Sequence, residues 1–463
     1  MGAVRKAYTS LFFVGVFFLP FNSHEGFPFL GEFSRESAFL FFTLGLVLYA
    51  LEAVHVNRIV FPLKSEVFTL LMAFVVYCMV STFLNGYSVY HNYFKYTSGI
   101  NRFIRQYLVL TILSVFFLLY FYKVFLIYEL KEIFLKMRKV FSITFFIMIV
   151  YSSIEVLILV FGLTGFESVI KLFEFMPFLE VRLDTTFGRI SSVSFEPPFL
   201  AVYLITIAPW MFSYMMTSKG FKRFTPTLAV LLMTFLSGSR TGLIVVLFQF
   251  ILFLILLLDT KEFRRYFVYL LGVVLVGVLS LIIVTKGEII TVTKEKIETL
   301  NFKENLTKSI SNKSRFGMQY ANFMVFKDNP IFGVGFGQQA YHNRKYYPDW
   351  ATKDNYEFKL WYLNEDEPSF PPGYNLYIRL LAETGIVGFS LFTLILVLIM
   401  LKLFGYVKIR GKDIKIYSII LIVSFVGFLL NWLQIDTFRI FGFWLCVALF
   451  LRLQRNLKEN KKV

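Results

Sequence analysis

The chain has 463 residues, of which 57% are hydrophobic and 19% aromatic, with a mean hydropathy of +0.66 and a formal net charge of +17. Apolar runs recur from residue 7 to residue 451, which excludes an ordinary soluble domain and makes the bilayer the relevant solvent. The basic residues are scattered over alternate loops and form no single patch, so nucleic acid is not the partner that the charge implies.

A spanning helix needs about 20 mostly apolar residues. Read on that basis, the sequence predicts an all-α polytopic membrane protein with about twelve transmembrane helices, near 7–21, 38–56, 67–84, 107–122, 140–162, 197–217, 225–237, 239–258, 266–285, 377–401, 416–431 and 437–451. The first has a basic start but no small-residue cleavage site after it, and reads as an uncleaved anchor. Cys78 and Cys446 fall inside apolar runs far apart in the chain, as lipid-facing or packing residues and not as a disulfide framework. Two segments between spans stand out by size, 164–196 and 286–376. The chain therefore divides into 1–285 with nine spans, a large loop at 286–376, and 377–463 with three spans and a tail.

Lys and Arg concentrate in 1–6, 57–66, 123–139, 218–224, 259–265, 402–415 and 452–463, which the positive-inside tendency assigns to the cytoplasm together with both termini. The net charge then follows mostly from orientation, helped by anionic inner-leaflet lipid. The loop 286–376 faces outward with twelve basic and eleven acidic side chains, nearly neutral and densely charged, as a folded cap over the membrane would be. Phe316, Tyr320, Phe323 and Met324 recur at helical spacing within it, so the loop is expected to be mostly helical.

Four polar groups stand against this background. In "RLDTTFGRISSVSFEPPFLAVYL", Arg182, Asp184, Arg189 and Glu196 lie just outside a span, and Pro197–Pro198 fits a helix start; interfacial capping and a functional role both suit them. In "SGSRTG", Arg240 opens a span. It could snorkel to headgroups or hold a phosphate by paired hydrogen bonds, while its small neighbours allow close helix packing. In "SRFGMQYANFMVFKDNPIFGVGFGQ", Arg315 opens a helical stretch; Gly333, Gly335 and Gly337 lack the following helix and lysine of a nucleotide loop and indicate a tight turn after Pro330. In "PPGYNLYIRLLAETGIVGFSLF", Tyr374 precedes Asn375, Arg379 and Glu383, three residues on one helical face; a structural ion pair explains the last two as well as catalysis does. The acidic run "NEDEP" at 364–368 has no ligand-like spacing, so no metal is expected, nor any other cofactor.

Twelve spans, "GSRTG" opening the eighth, "KDNPIFGVGFG" in a large outer loop and "YNLYIRLLAETGIVGF" entering the tenth together resemble the O-antigen polymerase and O-antigen ligase superfamily, integral membrane glycosyltransferases of the GT-C type. The resemblance is strongest from Arg240 to Phe389; upstream, "SFEPPFLA" is similar to a segment of polysaccharide polymerases. It implies a glycan on undecaprenyl pyrophosphate as donor, a second such glycan as acceptor, and a site on the periplasmic side of the bacterial inner membrane. It assigns the pyrophosphate to Arg240 and Arg315, with Arg189 and Arg379 as further candidates. Where the ligases carry His-Asn, this chain has Tyr374-Asn375, which favours a polymerase over a ligase and leaves Glu196 and Glu383 as carboxylate bases to test, with Tyr374 disfavoured by an ordinary pKa of about 10. Trp350, Tyr356 and Trp361 could stack on sugars. The alternatives are a ligase that passes glycan to lipid A core or protein, a transporter without chemistry, and a scaffold that regulates chain length; a separate chain-length regulator is a further possible partner.

Overall fold

The computed structural model describes residues 2–56, 59–186, 188–258, 309–409 and 411–460. The principal helices among them are α1 (Gly2–Phe17), α2 (Ser37–Val56), α3 (Glu66–Leu84), α4 (Gly99–Ile127), α5 (Leu130–Leu159), α6 (Pro197–Thr217), α7 (Thr225–Leu236), α8 (Arg240–Leu258), α9 (Ile310–Asp328), α10 (Leu376–Val407), α11 (Lys412–Asn431) and α12 (Phe441–Asn460). The protein is an all-α polytopic membrane protein. Among the described residues, eight helices, α2 to α6, α8, α10 and α11, are long and apolar enough to cross a bilayer. The runs expected at 7–21, 225–237 and 437–451 correspond to the helices α1, α7 and α12; the run at 266–285 lies outside the described residues.

Helix α8 shows how such a sequence sorts its faces. It is apolar all round, and Gly242, Val245, Val246, Gln249, Phe253 and Leu257 turn inward at helical spacing while Ile244, Phe248, Ile251 and Ile255 stay exposed, as lipid-facing side chains do. The buried Gln249 amide donates to the carbonyls of Ile205 and Val423, each at 3.1 Å, and so ties α8 to α6 and α11. Elsewhere aromatic packing joins the helices. The Phe42 ring of α2 lies 4.8 Å from Phe121 of α4 and 5.4 Å from Phe441 of α12. Both cysteines are free and buried, hence packing residues.

Two boundaries differ from the sequence expectation in ways that matter for the site. Helix α4 starts at Gly99 and not near 107, because Ser98 caps it by accepting from the Asn101 N–H at 3.3 Å, and its first turns carry Arg102 and Gln106. Helix α12 starts at Phe441, after a polar turn from Gln434 to Arg439 whose side chains are used elsewhere. Between α8 and α10, the expected helix is α9, lying along α10 and burying Ser314, Gly317, Met318, Ala321, Asn322 and Val325 on one face.

Candidate active site

The site begins at a break in α10. Gly385 sits at φ 64°, and the turn after α9 fills the break: the N–H groups of Val334 and Gly335 donate to the carbonyls of Ala382 and Glu383 at 3.0 and 2.9 Å, and Ile386 donates to Pro330 at 2.8 Å. A Cβ at Gly385 would come within 2.1 Å of the Ile331 carbonyl oxygen, so only glycine admits this approach. The three glycines of "NPIFGVGFG" all have positive φ, and the segment is the expected turn, docked on a spanning helix.

Next to the break, Arg379 and Glu383 are buried and paired, with Nε to Oε1 at 3.0 Å. The remaining Arg379 nitrogens donate to the Asp436 carbonyl at 2.7 Å and to Gln106 Oε1 at 3.0 Å. Gln106 in turn donates to Glu32 Oε1 at 3.0 Å, which also accepts from Arg102 at 3.1 Å, while Arg439 approaches Glu32 Oε2 at 3.9 Å. Every nitrogen of Arg379 is committed to protein, and Glu383 is fully buried with Oε2 unpartnered among the described residues. Such a pair fixes the ends of α4, α10 and α11 relative to one another. Asn375 has a structural use as well: it caps α10, accepting from the Tyr377 and Ile378 N–H groups at 3.0 and 3.2 Å.

Arg315 and Tyr374 lie together just outside this network. The Arg315 guanidinium is 5.5 Å from the Tyr374 ring centroid and donates to Gln434 at 3.4 Å, with Nε buried and unpartnered among the described residues. Tyr374 adopts φ 56° and shares a 2.5 Å hydrogen bond with Tyr362. Burial raises its pKa, only partly offset by that hydrogen bond, so the hydroxyl is protonated at neutral pH and is a poor base. Asp436 joins the two groups, since its carboxylate accepts from the Gly373 N–H at 2.6 Å and lies 3.9 Å from Arg379. His342 is placed elsewhere, 3.4 Å from Ser88 and Asn92, and burial lowers its pKa to about 4.

The second gathering is the corner between α7 and α8. Arg189 is held to Asp184 at 2.8 Å and lies over Gly238, where a Cβ would meet its Cδ at 2.7 Å. Buried Glu155 of α5 organises the approach, accepting from the N–H groups of Ser191 and Ser192 at 3.1 and 2.8 Å. Arg240 is the first residue of α8 and is exposed, with no side-chain hydrogen bond or ion pair to another described residue. A cation there opposes the helix dipole, whereas an anion would gain from both the dipole and the guanidinium. Glu196 is likewise exposed at the start of α6, beside α8: Gly242 sits so close to Ala201 that a Cβ would approach it to 2.6 Å. Helices α6 and α8 are therefore neighbours near their first turns, one preceded by Glu196 and the other opened by Arg240. Arg35 and Arg182 lie 3.6 and 4.5 Å from the ring centroid of Phe195, the neighbour of Glu196 in the chain.

Residues 226–393 match the model of a family described as O-antigen ligase. Over that stretch the chain is similar to the O-antigen polymerase and ligase superfamily. The superfamily match includes Arg240, Arg315, Tyr374, Asn375, Arg379 and Glu383, and leaves Arg189 and Glu196 upstream of it. The likeness supports a polymerase or ligase activity in polysaccharide synthesis in general. None of the curated proteins compared matches the chain. Sequence reasoning missed Glu32, Arg102, Gln106, Gln434, Asp436 and Arg439, which frame the α10 network. One signal for the last three was available, the polar interruption "QIDTFR" between two apolar runs.

Proposed function

We propose that the chain polymerises lipid-pyrophosphate-linked oligosaccharide repeat units at the outer face of the bacterial cytoplasmic membrane, by an inverting, metal-independent glycosyl transfer. The observation that carries this reading is Arg240 at the α8 start, exposed and without a side-chain partner among the described residues, with the exposed Glu196 opening the neighbouring helix α6. An acceptor hydroxyl attacks the anomeric carbon of the donor sugar while the bond to the pyrophosphate oxygen breaks. The hydroxyl proton passes to Glu196, and the negative charge that develops on the leaving pyrophosphate is met by Arg240 and the α8 N terminus. Arg315 of α9, whose Nε has no partner among the described residues, supplies a second guanidinium, and Arg189 a third. Arg379, Glu383 and Asn375 fix the start of α10, next to Arg315.

Two observations support this reading against its rivals. A transporter with a broken helix keeps its freed backbone groups for a substrate or ion, but here the α10 break is filled by the Pro330–Gly335 turn. A ligase of this superfamily would be expected to carry histidine where Tyr374 stands, and Tyr374 is bound to Tyr362 and protonated. The test is elongation by the purified chain in nanodiscs, given an undecaprenyl-pyrophosphate-linked repeat unit with and without lipid A core. Lipid-linked oligomers formed without added core support the polymerase; product formed only with core overturns it in favour of a ligase.

A further inference from the structure

At the opposite ends of the helices from this site, α5, α6 and α11 enclose a cavity of about 350 Å³. Its polar mouth is basic: Lys131 and Arg138 of α5 and Lys412 of α11, against one acid, Asp413, which pairs with Lys131 at 3.7 Å. Arg138 is fixed in place, donating through Nη1 to Thr217 at 2.6 Å and Ser213 at 3.4 Å and lying 4.4 Å over the Tyr214 ring. Its Nε and Nη2 form no hydrogen bond with another described residue and remain available. A second, more open hollow shares Arg138 with the first, adds Lys139, and continues along α5 to Ile143 and Phe146. Phe146 is 65% exposed on a helix of spanning length, so this end of the groove faces acyl chains.

The groove thus runs from a cluster of four cations to a lipid-facing apolar wall. We propose that it is a binding site for an anionic glycerophospholipid, with the phosphate at Arg138, Lys139 and Lys412 and one acyl chain laid over Ile143 and Phe146. Charge decides the class of occupant, because a zwitterionic headgroup would leave this excess of cations uncompensated, and basic pockets between spanning helices suit anionic headgroups. The chain then clamps α5 to α11 through the lipid, away from the transfer site. The proposal is independent of which glycan reaction the protein performs.

The test uses full-length protein, delipidated in detergent, and titrates phosphatidylglycerol, phosphatidylcholine, inorganic phosphate and undecaprenyl phosphate by native mass spectrometry. Lys139 and Lys412 are exposed and make no hydrogen bond or ion pair with a described residue, so Lys139→Gln/Lys412→Gln is expected to fold, checked by an unchanged melting curve in phosphatidylcholine. Phosphatidylglycerol is expected to bind saturably and the double variant to bind it roughly 30-fold more weakly, about fivefold for each cation removed. Equal binding of phosphatidylcholine, saturation by inorganic phosphate alone, tighter binding of undecaprenyl phosphate, or an unchanged affinity in the double variant would each overturn the assignment.

Discussion

Replacing Arg379 by alanine separates a framing role from a substrate-binding one. Its guanidinium is buried and satisfied by Glu383, the Asp436 carbonyl and Gln106, so the variant strands the fully buried Glu383 carboxylate and frees two further acceptors. Removing one partner of a buried ion pair costs about 3–5 kcal/mol, because the remaining charge is left without compensation. The double variant Arg379→Ala/Glu383→Ala removes both charges, and its cost should fall short of the sum of the single costs by about 1–3 kcal/mol. The assay is thermal unfolding of the purified variants in one detergent, with elongation measured well below the melting transition. The framing account expects Arg379→Ala to lower the melting temperature clearly and Glu383→Ala to recover part of the loss. An Arg379→Ala variant that melts like wild type yet makes no glycan would refute it and return Arg379 to the substrate.

Arg240→Ala should leave the melting temperature unchanged or slightly raised, since a cation at a helix N terminus opposes the dipole by about 0.3–1 kcal/mol, while abolishing elongation. Tyr374→Phe should retain most activity, because the raised pKa keeps the hydroxyl protonated and unable to serve as the base; a large fall in kcat measured with saturating donor would contradict this. Glu155→Ala should destabilise the protein by about 2–4 kcal/mol, since it leaves two buried N–H groups without an acceptor, and its unfolding curve checks this. His342, with its pKa lowered from 6.5 to about 4, favours the folded state when neutral. Its contribution is therefore fully present above pH 6.5 and is lost as pH falls from there through 4; wild type should lose stability across that window and His342→Gln should lose less.

The helical membrane architecture was legible because apolar runs of spanning length have few other uses, and the α9 helix because its aromatic residues recur with the helical period. The spacing of Arg379 and Glu383 put them on one helical face, whereas Asn375 stands outside the helix as its cap, and the sequence did not show that Arg379 spends its other nitrogens on Gln106 and Asp436. Those partners come from chain segments 273 and 57 residues away, and a single sequence carries no trace of such pairings. The same limit hid Glu32 and Arg35, which sit in a short turn with no motif and acquire meaning only when they meet Arg102 and Phe195. The start of α12 was placed too early, at 437, because Phe438 and Ile440 run on into the apolar residues that follow, although Thr437 and Arg439 bond to each other and the helix begins after them.

The most direct test of the account is glycan elongation from a lipid-pyrophosphate-linked repeat unit by wild type, Arg240→Ala and Arg315→Ala in nanodiscs, with folding of each verified by its melting curve. The account predicts a ladder of lipid-linked oligomers from wild type and none from either variant at unchanged stability. A ladder that survives both substitutions would contradict the assignment of the pyrophosphate to these two arginines.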